Sequence, residues 1–554
     1  MTRMMIRFFF SIVVILVAHM SYAQENDPKW NVDGEIESAE FVIVKDKKLE
    51  LPRANRFFVP ITVKKNDLSL SGVQYKLKEF SFTPVVTLPT IRVKKIPNQT
   101  IEKLWGNKVT LGYGNFQSPF IDLSLANKRD KLYSYGVNFK HHSFGQGAVD
   151  EENSASGITD IEAFGKIFGK KATSFLNVGY QNEFNHFFGY QPTTEVPSAD
   201  SIRQTFNRFN IKAGIFGTDL ENLLRYRVET GFSSFTNDFN TTENSFNLKG
   251  NFAYKLQDDE KLKLEISGLL TQYSDSTEIN RNLLRLTPSY VRKISGVYLT
   301  VGFELAIDND TLASSTNSSV FPQLNVRFPI SETFDVYGGL TGGRQFNSIN
   351  MLTGENPWIS QNQPLINSSN KLEVYGGLNG KIGDRISTNL GFSASGVDNM
   401  TFFVNGLNDS TRFDILYDNT SVFKFFANLE YSFFEKASVH AGATFFGYDT
   451  DVLPEAWHKP TFTFELGSKF NLYEKVLIAP TFNILSGIEA LNLQSGNTAT
   501  LDPIIQLNLQ AKYILSERAG IYLNFNNIIG ENYQRYLNYP GRGLQVNAGF
   551  SYSF

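Results

Sequence analysis

Leu544-Gln545-Val546-Asn547-Ala548-Gly549-Phe550-Ser551-Tyr552-Ser553-Phe554 closes the chain, and its alternation decides the fold. In an extended strand Leu544, Val546, Ala548, Phe550, Tyr552 and Phe554 fall on one face, and the residues between them, all polar or glycine, fall on the other. One face suits lipid and the other suits water. The same rhythm returns in Phe246, Leu248, Phe252 and Tyr254 against Asn247, Lys249, Asn251 and Lys255, and in Ile505, Leu507, Leu509, Ala511 and Tyr513 against Gln506, Asn508, Gln510 and Lys512. Charged residues keep to the second face. A pattern repeated this often, ending on an aromatic carboxyl terminus, points to an all-β chain folded as a single large antiparallel transmembrane β-barrel, because only closure satisfies every strand edge in hydrocarbon.

Composition agrees. Phe 49 and Tyr 24 are many for a chain of mean hydropathy −0.22, and strand-forming aromatics at modest hydropathy suit a sheet with one apolar face. Lys+Arg 52 against Asp+Glu 55 leaves a net charge of −3 with no basic cluster, which gives no footprint for nucleic acid. Cysteine is absent, so disulfides, thiolate metal sites and a lipoprotein anchor are excluded. Neither a metal nor a cofactor is expected.

Three regions follow. Met1 to Ala23 reads as a cleaved signal peptide, with Arg3 and Arg7 before the apolar run Phe8 to Ala18 and Ser21-Tyr22-Ala23 at the cleavage positions. Residues 24–105 read as a small amino-terminal periplasmic or lumenal segment, its strand-like pieces broken by Pro52, Pro60, Pro84, Pro89 and Pro97. Residues 106–554 read as the barrel. Export without a spanning helix places such a barrel in the outer membrane of a Gram-negative-type bacterium.

Connection lengths order the strands. Short turns at Leu515 to Arg518, Asn471 to Lys475, Gly383-Asp384, Lys293-Ile294 and others alternate with mostly longer connections, such as Gly530 to Gly543, Gly487 to Pro503, Asp449 to Lys459, Val397 to Thr420 and Gln345 to Asn370. With a hairpin near Phe402 and Phe413 placed inside an outer loop, the count is about 22 wall strands. Both ends of the barrel then lie in the periplasm.

The last outer loop, Asn532-Tyr533-Gln534-Arg535-Tyr536 followed by Tyr539-Pro540-Gly541-Arg542-Gly543, together with the strand ending on Phe554, resembles the carboxyl-terminal end of TonB-dependent outer-membrane receptors. That resemblance implies uptake or gating of a bulky solute. It also implies outer-membrane lipid around the wall, TonB as a coupling partner, and barrel-assembly machinery that recognises the strand closing on Phe554. Such receptors carry an amino-terminal plug preceded by a coupling box. Residues 24–105 are short for that, so the plug is expected to be shortened or absent, and Glu40 to Val44 reads as a plain strand.

No constellation for catalysis emerges, and the chain is read as a non-enzyme. His440 falls on the lumenal face without an evident acid or nucleophile beside it, and adjacent His141 and His142 point to opposite faces of a strand, which prevents a shared metal ion. Trp358, Trp457 and His458 lie in long outer loops and are the candidate ligand-binding residues, as aromatic groups that stack on a ring or else pack a loop core. Lumenal charges are mixed: Arg227, Lys249, Arg327 and Lys469 share the interior with Glu229, Glu304, Asp335 and Glu465. A selective pore would show one sign. The other function considered is a plug-poor barrel acting as scaffold or assembly partner in an outer-membrane complex.

Overall fold

The computed structural model describes residues 105–190, 196–219, 221–309, 316–433 and 436–554. The signal peptide, Glu40 to Val44 and nearly all of the segment 24–105 lie outside these residues. One antiparallel sheet closes on itself. Strands β1 (Asn107–Gly114) to β19 (Val476–Ser486) pair in unbroken chain order, followed by β22 (Ile504–Ile514), β23 (Ala519–Asn526) and β26 (Gln545–Ser553), which returns to β1. The 24-stranded sheet also counts the hairpin of β20 (Ile488–Asn492) and β21 (Asn497–Leu501), which leaves 22 strands in the wall. The expected barrel of about 22 strands is therefore the observed one.

At the closing seam the register carries the lipid-facing row without a step. Ile521 pairs with Phe550, Phe550 with Leu111, and Leu111 with Ile121. Leu111, Phe550 and Ile521 are each about half exposed, on the outside of a sealed cylinder. The backbones of Asn107 and Phe554 exchange hydrogen bonds of 3.2 and 2.9 Å, so the chain's last residue completes the ring. An apolar outer face on a cylinder without open edges is a membrane-spanning wall. None of the helices among the described residues is long and apolar enough to cross a membrane.

The tandem repeat Val336-Tyr337-Gly338-Gly339-Leu340 and Val374-Tyr375-Gly376-Gly377-Leu378 lies on paired strands, β13 (Phe334–Gln345) and β14 (Ser368–Ile382), so that each tyrosine faces the other repeat's glycine. A Cβ on Gly377 would come within 2.4 Å of both the Tyr337 hydroxyl and the Leu390 carbonyl. The tyrosine lies over bare backbone and donates to Asn389 at 3.1 Å. Gly377→Val is expected to cost about 1–3 kcal/mol by forcing that ring and strand apart. Gly396→Val, where a Cβ meets nothing within 4 Å, serves as the control. Urea unfolding of both variants in lipid vesicles checks the difference.

Two boundaries differ from the sequence reading. The outer connection assigned to Val397–Thr420 holds the expected hairpin near Phe402 and Phe413, but as a continuation of the wall strands: β15 (Ile386–Asn405) and β16 (Phe413–Phe433) stay paired across a register shift between Val397 and Met400 and leave residues 406–412 as the connection. They run beyond the wall because Phe402, Val404, Phe413 and Ile415 find apolar partners there. The turn assigned to Lys293-Ile294 lies two residues later, at Ser295 and Gly296, since pairing continues to Ile294 and Val297. Both turn residues have positive φ, 49° and 87°, the conformation that matches the twist of a two-residue hairpin.

Candidate functional site: the inward-folded cap of outer loops

The long connections share one end of the barrel and fold over its mouth. Their apolar side chains make a dry core in which Ile349, Leu352, Ile359, Leu365, Phe403, Phe413, Tyr536 and Tyr539 are all buried, with Phe206, Phe235 and Tyr273 from the wall beneath. A loop carries apolar residues at such density only if it packs them, since isolated connections cannot hide their backbone from water. The connection between β13 and β14 is organised by a short helix, Ile349–Glu355, whose N-cap Ser348 accepts a hydrogen bond from the Met351 amide at 3.0 Å.

Residues 527–544, the last outer connection, act as the keystone. They contain a small hairpin, β24 (Gln534–Tyr536) with β25 (Tyr539–Pro540). The Tyr536 hydroxyl donates to the Glu355 carbonyl at 2.9 Å, and the Tyr539 hydroxyl donates to the Thr411 carbonyl. Arg542 donates to the Ser154 carbonyl at 3.0 Å and to the Ser156 hydroxyl at 2.8 Å, on the far side of the seam. Burial raises the pKa of both tyrosines above the ordinary phenol value, so both remain neutral donors. One connection thereby ties together loops from three other parts of the circumference.

The three candidate residues all lie in this cap. Trp358 is half-buried, stacks on Tyr539 with centroids 3.9 Å apart and donates its indole N–H to the His186 carbonyl at 2.9 Å. Trp457 is buried in a second cluster with Phe402 and Val404. His458 is also buried, with its ring 5.4 Å from both Phe413 and Tyr536. Trp358 and His458 thus meet through Tyr536, whereas Trp457 belongs to the neighbouring cluster. Sequence reasoning named the Asn532–Gly543 motif for its resemblance and did not count its tyrosines and arginines as site residues. Their density in one loop was the available signal.

The His458 imidazole has one tautomer: Nδ1–H donates to the Phe403 carbonyl at 2.7 Å, and Nε2 accepts from the Leu537 amide at 3.2 Å. Burial, with Arg535 and Lys459 nearby, lowers its pKa to about 4. Because the opened loop takes up a proton near pH 6.5 and the closed one does not, the cap loses stability as pH falls from about 6.5 to about 4, by up to about 3 kcal/mol, and is insensitive above that window. Hydrogen exchange of residues 451–461 between pH 7.5 and 4.5 should show this loosening, and His458→Gln should flatten it.

His186 is buried and donates to the Ala155 carbonyl at 2.7 Å, while His440, His141 and His142 are placed as polar lining. His440 lies 3.0 Å from Glu465 on the open lumenal face, an acidic neighbour that the sequence did not reveal. His141 contacts Thr159 and Ser143, and His142 contacts Ser118. Among the described residues no group of three or more His, Asp or Glu side chains is placed to hold a metal ion. The mixed lumenal charges pair with one another: Arg208 with Glu183 at 2.6 Å, Arg327 with Asp335 at 3.0 Å and Arg344 with Asp308 at 2.9 Å.

No family model matches the sequence, and no curated protein matches it. Solved structures do. The FrpB iron transporter from Neisseria meningitidis (F3-3 variant) superposes with a TM-score of 0.65 at 11% identity, covering 82% of each chain. The pyoverdine outer membrane receptor FpvA from Pseudomonas aeruginosa PAO1 gives 0.62 at 10% identity over 82% of this chain and 79% of that one. The siderophore receptor PiuA from Acinetobacter baumannii gives 0.60 at 10% identity over 82% of each. At such identities the likeness is one of architecture, and the described chain has the 22-stranded barrel fold of the TonB-dependent outer-membrane receptors that its closing loop resembles.

Proposed function

We propose that this chain is a non-enzymatic outer-membrane receptor that takes up or gates a bulky solute, with the cap of outer loops as its gate and ligand surface. One observation carries the reading: a 22-stranded wall encloses a lumen wide enough for a large solute, and its outer mouth is covered by loops folded inward to a common core. The receptors and transporters that share the fold support uptake over a scaffold role. Trp358, Trp457 and His458 serve this reading as parts of the gate, and TonB is the coupling partner that the receptor fold suggests.

Swelling of proteoliposomes in raffinose tests the gate. The intact protein should remain closed and a variant lacking residues 531–543 should admit the sugar; free swelling of the intact protein would overturn the reading. We further propose that barrel-assembly machinery reads the closing strand through its terminal aromatic side chain. Phe554 is 43% exposed on the lipid face and stacks on Tyr552 at 6.2 Å. Removing Phe554 should lower the amount inserted into outer membranes several-fold, as measured on fractionated membranes. Unaided folding of the purified chain into vesicles should change far less.

A further inference from the structure

Two cavities border the keystone loop, and one arginine belongs to both. The smaller, about 310 Å³, is lined by the rings of Phe188, Trp358, Tyr536 and Tyr539, with Asn185 and Ser156 from the wall. The larger, about 530 Å³, is lined by hydrogen-bonding groups such as Asn428, Thr444 and Gln506 together with the apolar side chains of Phe464, Ile484 and Ile504. Tyr533 and Arg535 line both.

Arg535 differs from the carboxylate-paired arginines of the interior in its company. Arg208, Arg327 and Arg344 are each held by a carboxylate. Arg535 gives one N–H to the His458 carbonyl at 2.7 Å and lies 5.2 Å from the Tyr536 ring. The carboxylates that line the two cavities are engaged elsewhere, Glu355 with Lys459 and Glu465 with His440, each at 3.0 Å. Arg542, the other arginine of the smaller cavity, spends its donors on Gln146, Ser154 and Ser156. A half-buried guanidinium with donors to spare, and with no carboxylate in ion-pair contact among the described residues, keeps its capacity for bidentate pairing with a planar anion, and water exclusion by the surrounding rings strengthens that pairing.

We infer that Arg535 is the anion-binding centre of a site for solutes that carry a carboxylate beside a planar ring. The carboxylate pairs with the guanidinium, the ring lies against the aromatic lining of the smaller cavity, and the remainder of the solute occupies the larger one. This inference rests on the uptake reading and names the solute class for it.

Calorimetric titration of the full-length protein in detergent micelles tests it, with 2-naphthoate and the uncharged 2-naphthamide as probes. Naphthoate should bind saturably and the amide at least tenfold more weakly. R535Q should weaken naphthoate about tenfold and leave the amide unchanged, while R535K should retain part of the difference. Q506E, which adds a carboxylate to the wall of the larger cavity, should weaken naphthoate alone. Equal titrations of acid and amide, or of the native protein and both charge-altering variants, would overturn the site, and simple partition into the micelle would give that result. Raffinose exclusion by the intact barrel is measured separately, so loss of the gate with naphthoate binding intact counts against the proposed function alone.

Discussion

Phe445→Arg is expected to cost about 2–4 kcal/mol of stability in a lipid bilayer, whereas Thr444→Arg, one residue away, should leave stability nearly unchanged. Phe445 lies midway along β17 (Ala437–Thr450), is 56% exposed, and pairs with Phe425 and Phe462, both on the same outer face. Thr444 points the other way, into the lining of the larger cavity. A guanidinium on the outer face must be carried into hydrocarbon or snorkel out of it, and the same group on the inner face remains among amides and water. Urea titration of both variants folded into vesicles separates these outcomes by the shift in midpoint. Equal midpoints would mean that the apolar face does not meet lipid, and the membrane assignment would fall with it.

That prediction uses the part of the molecule that was plainest in the sequence. Wall strands must alternate because successive side chains leave opposite faces and only one face meets lipid, so Leu111, Phe550 and Ile521 announce their positions without tertiary information. Turns such as Ser295-Gly296 were located to within two residues, because a two-residue hairpin leaves a weak signal beside a strand that keeps alternating through it. The cap was far less legible. Phe402 and Phe413 were placed in a hairpin outside the wall, but the unbroken apolar run Phe402-Phe403-Val404 does not by itself say which loops cover its two faces. Trp358 and His458 were recognisable as unusual loop residues. That they share Tyr536 as a neighbour depends on a connection more than seventy residues beyond His458 folding inward, a relation between distant segments that local patterning does not encode. The charge pairs show the same limit: Arg327 and Asp335 were assigned correctly to one face, and their 3.0 Å contact appeared only once the register was fixed.

Tyr539→Ala should open the cap while leaving the wall intact. The side chain is 3% exposed and touches Trp358, Phe188 and Phe413 at centroid distances of 3.9, 4.7 and 5.7 Å, while its hydroxyl bonds to the Thr411 carbonyl. Truncating a fully packed aromatic residue costs about 3–5 kcal/mol, because the cavity left behind is not refilled. Here that loss falls on loops alone, since Tyr539 takes no part in the pairing of β23 with β26 or of β26 with β1. A cap held by a few kcal/mol therefore passes from mostly closed to largely open, and the barrel keeps its melting behaviour. Hydrogen exchange should rise by two orders of magnitude or more in residues 349–365 and 531–543, with the wall strands unchanged, and raffinose should enter proteoliposomes that the native protein seals. Tyr539→Phe keeps the rings and loses only the bond to Thr411, about 0.5–1.5 kcal/mol, so it should loosen the cap slightly and admit little sugar. Protection of the loops identical to that of the native protein in the alanine variant would show that the mouth is held by something other than this aromatic stack.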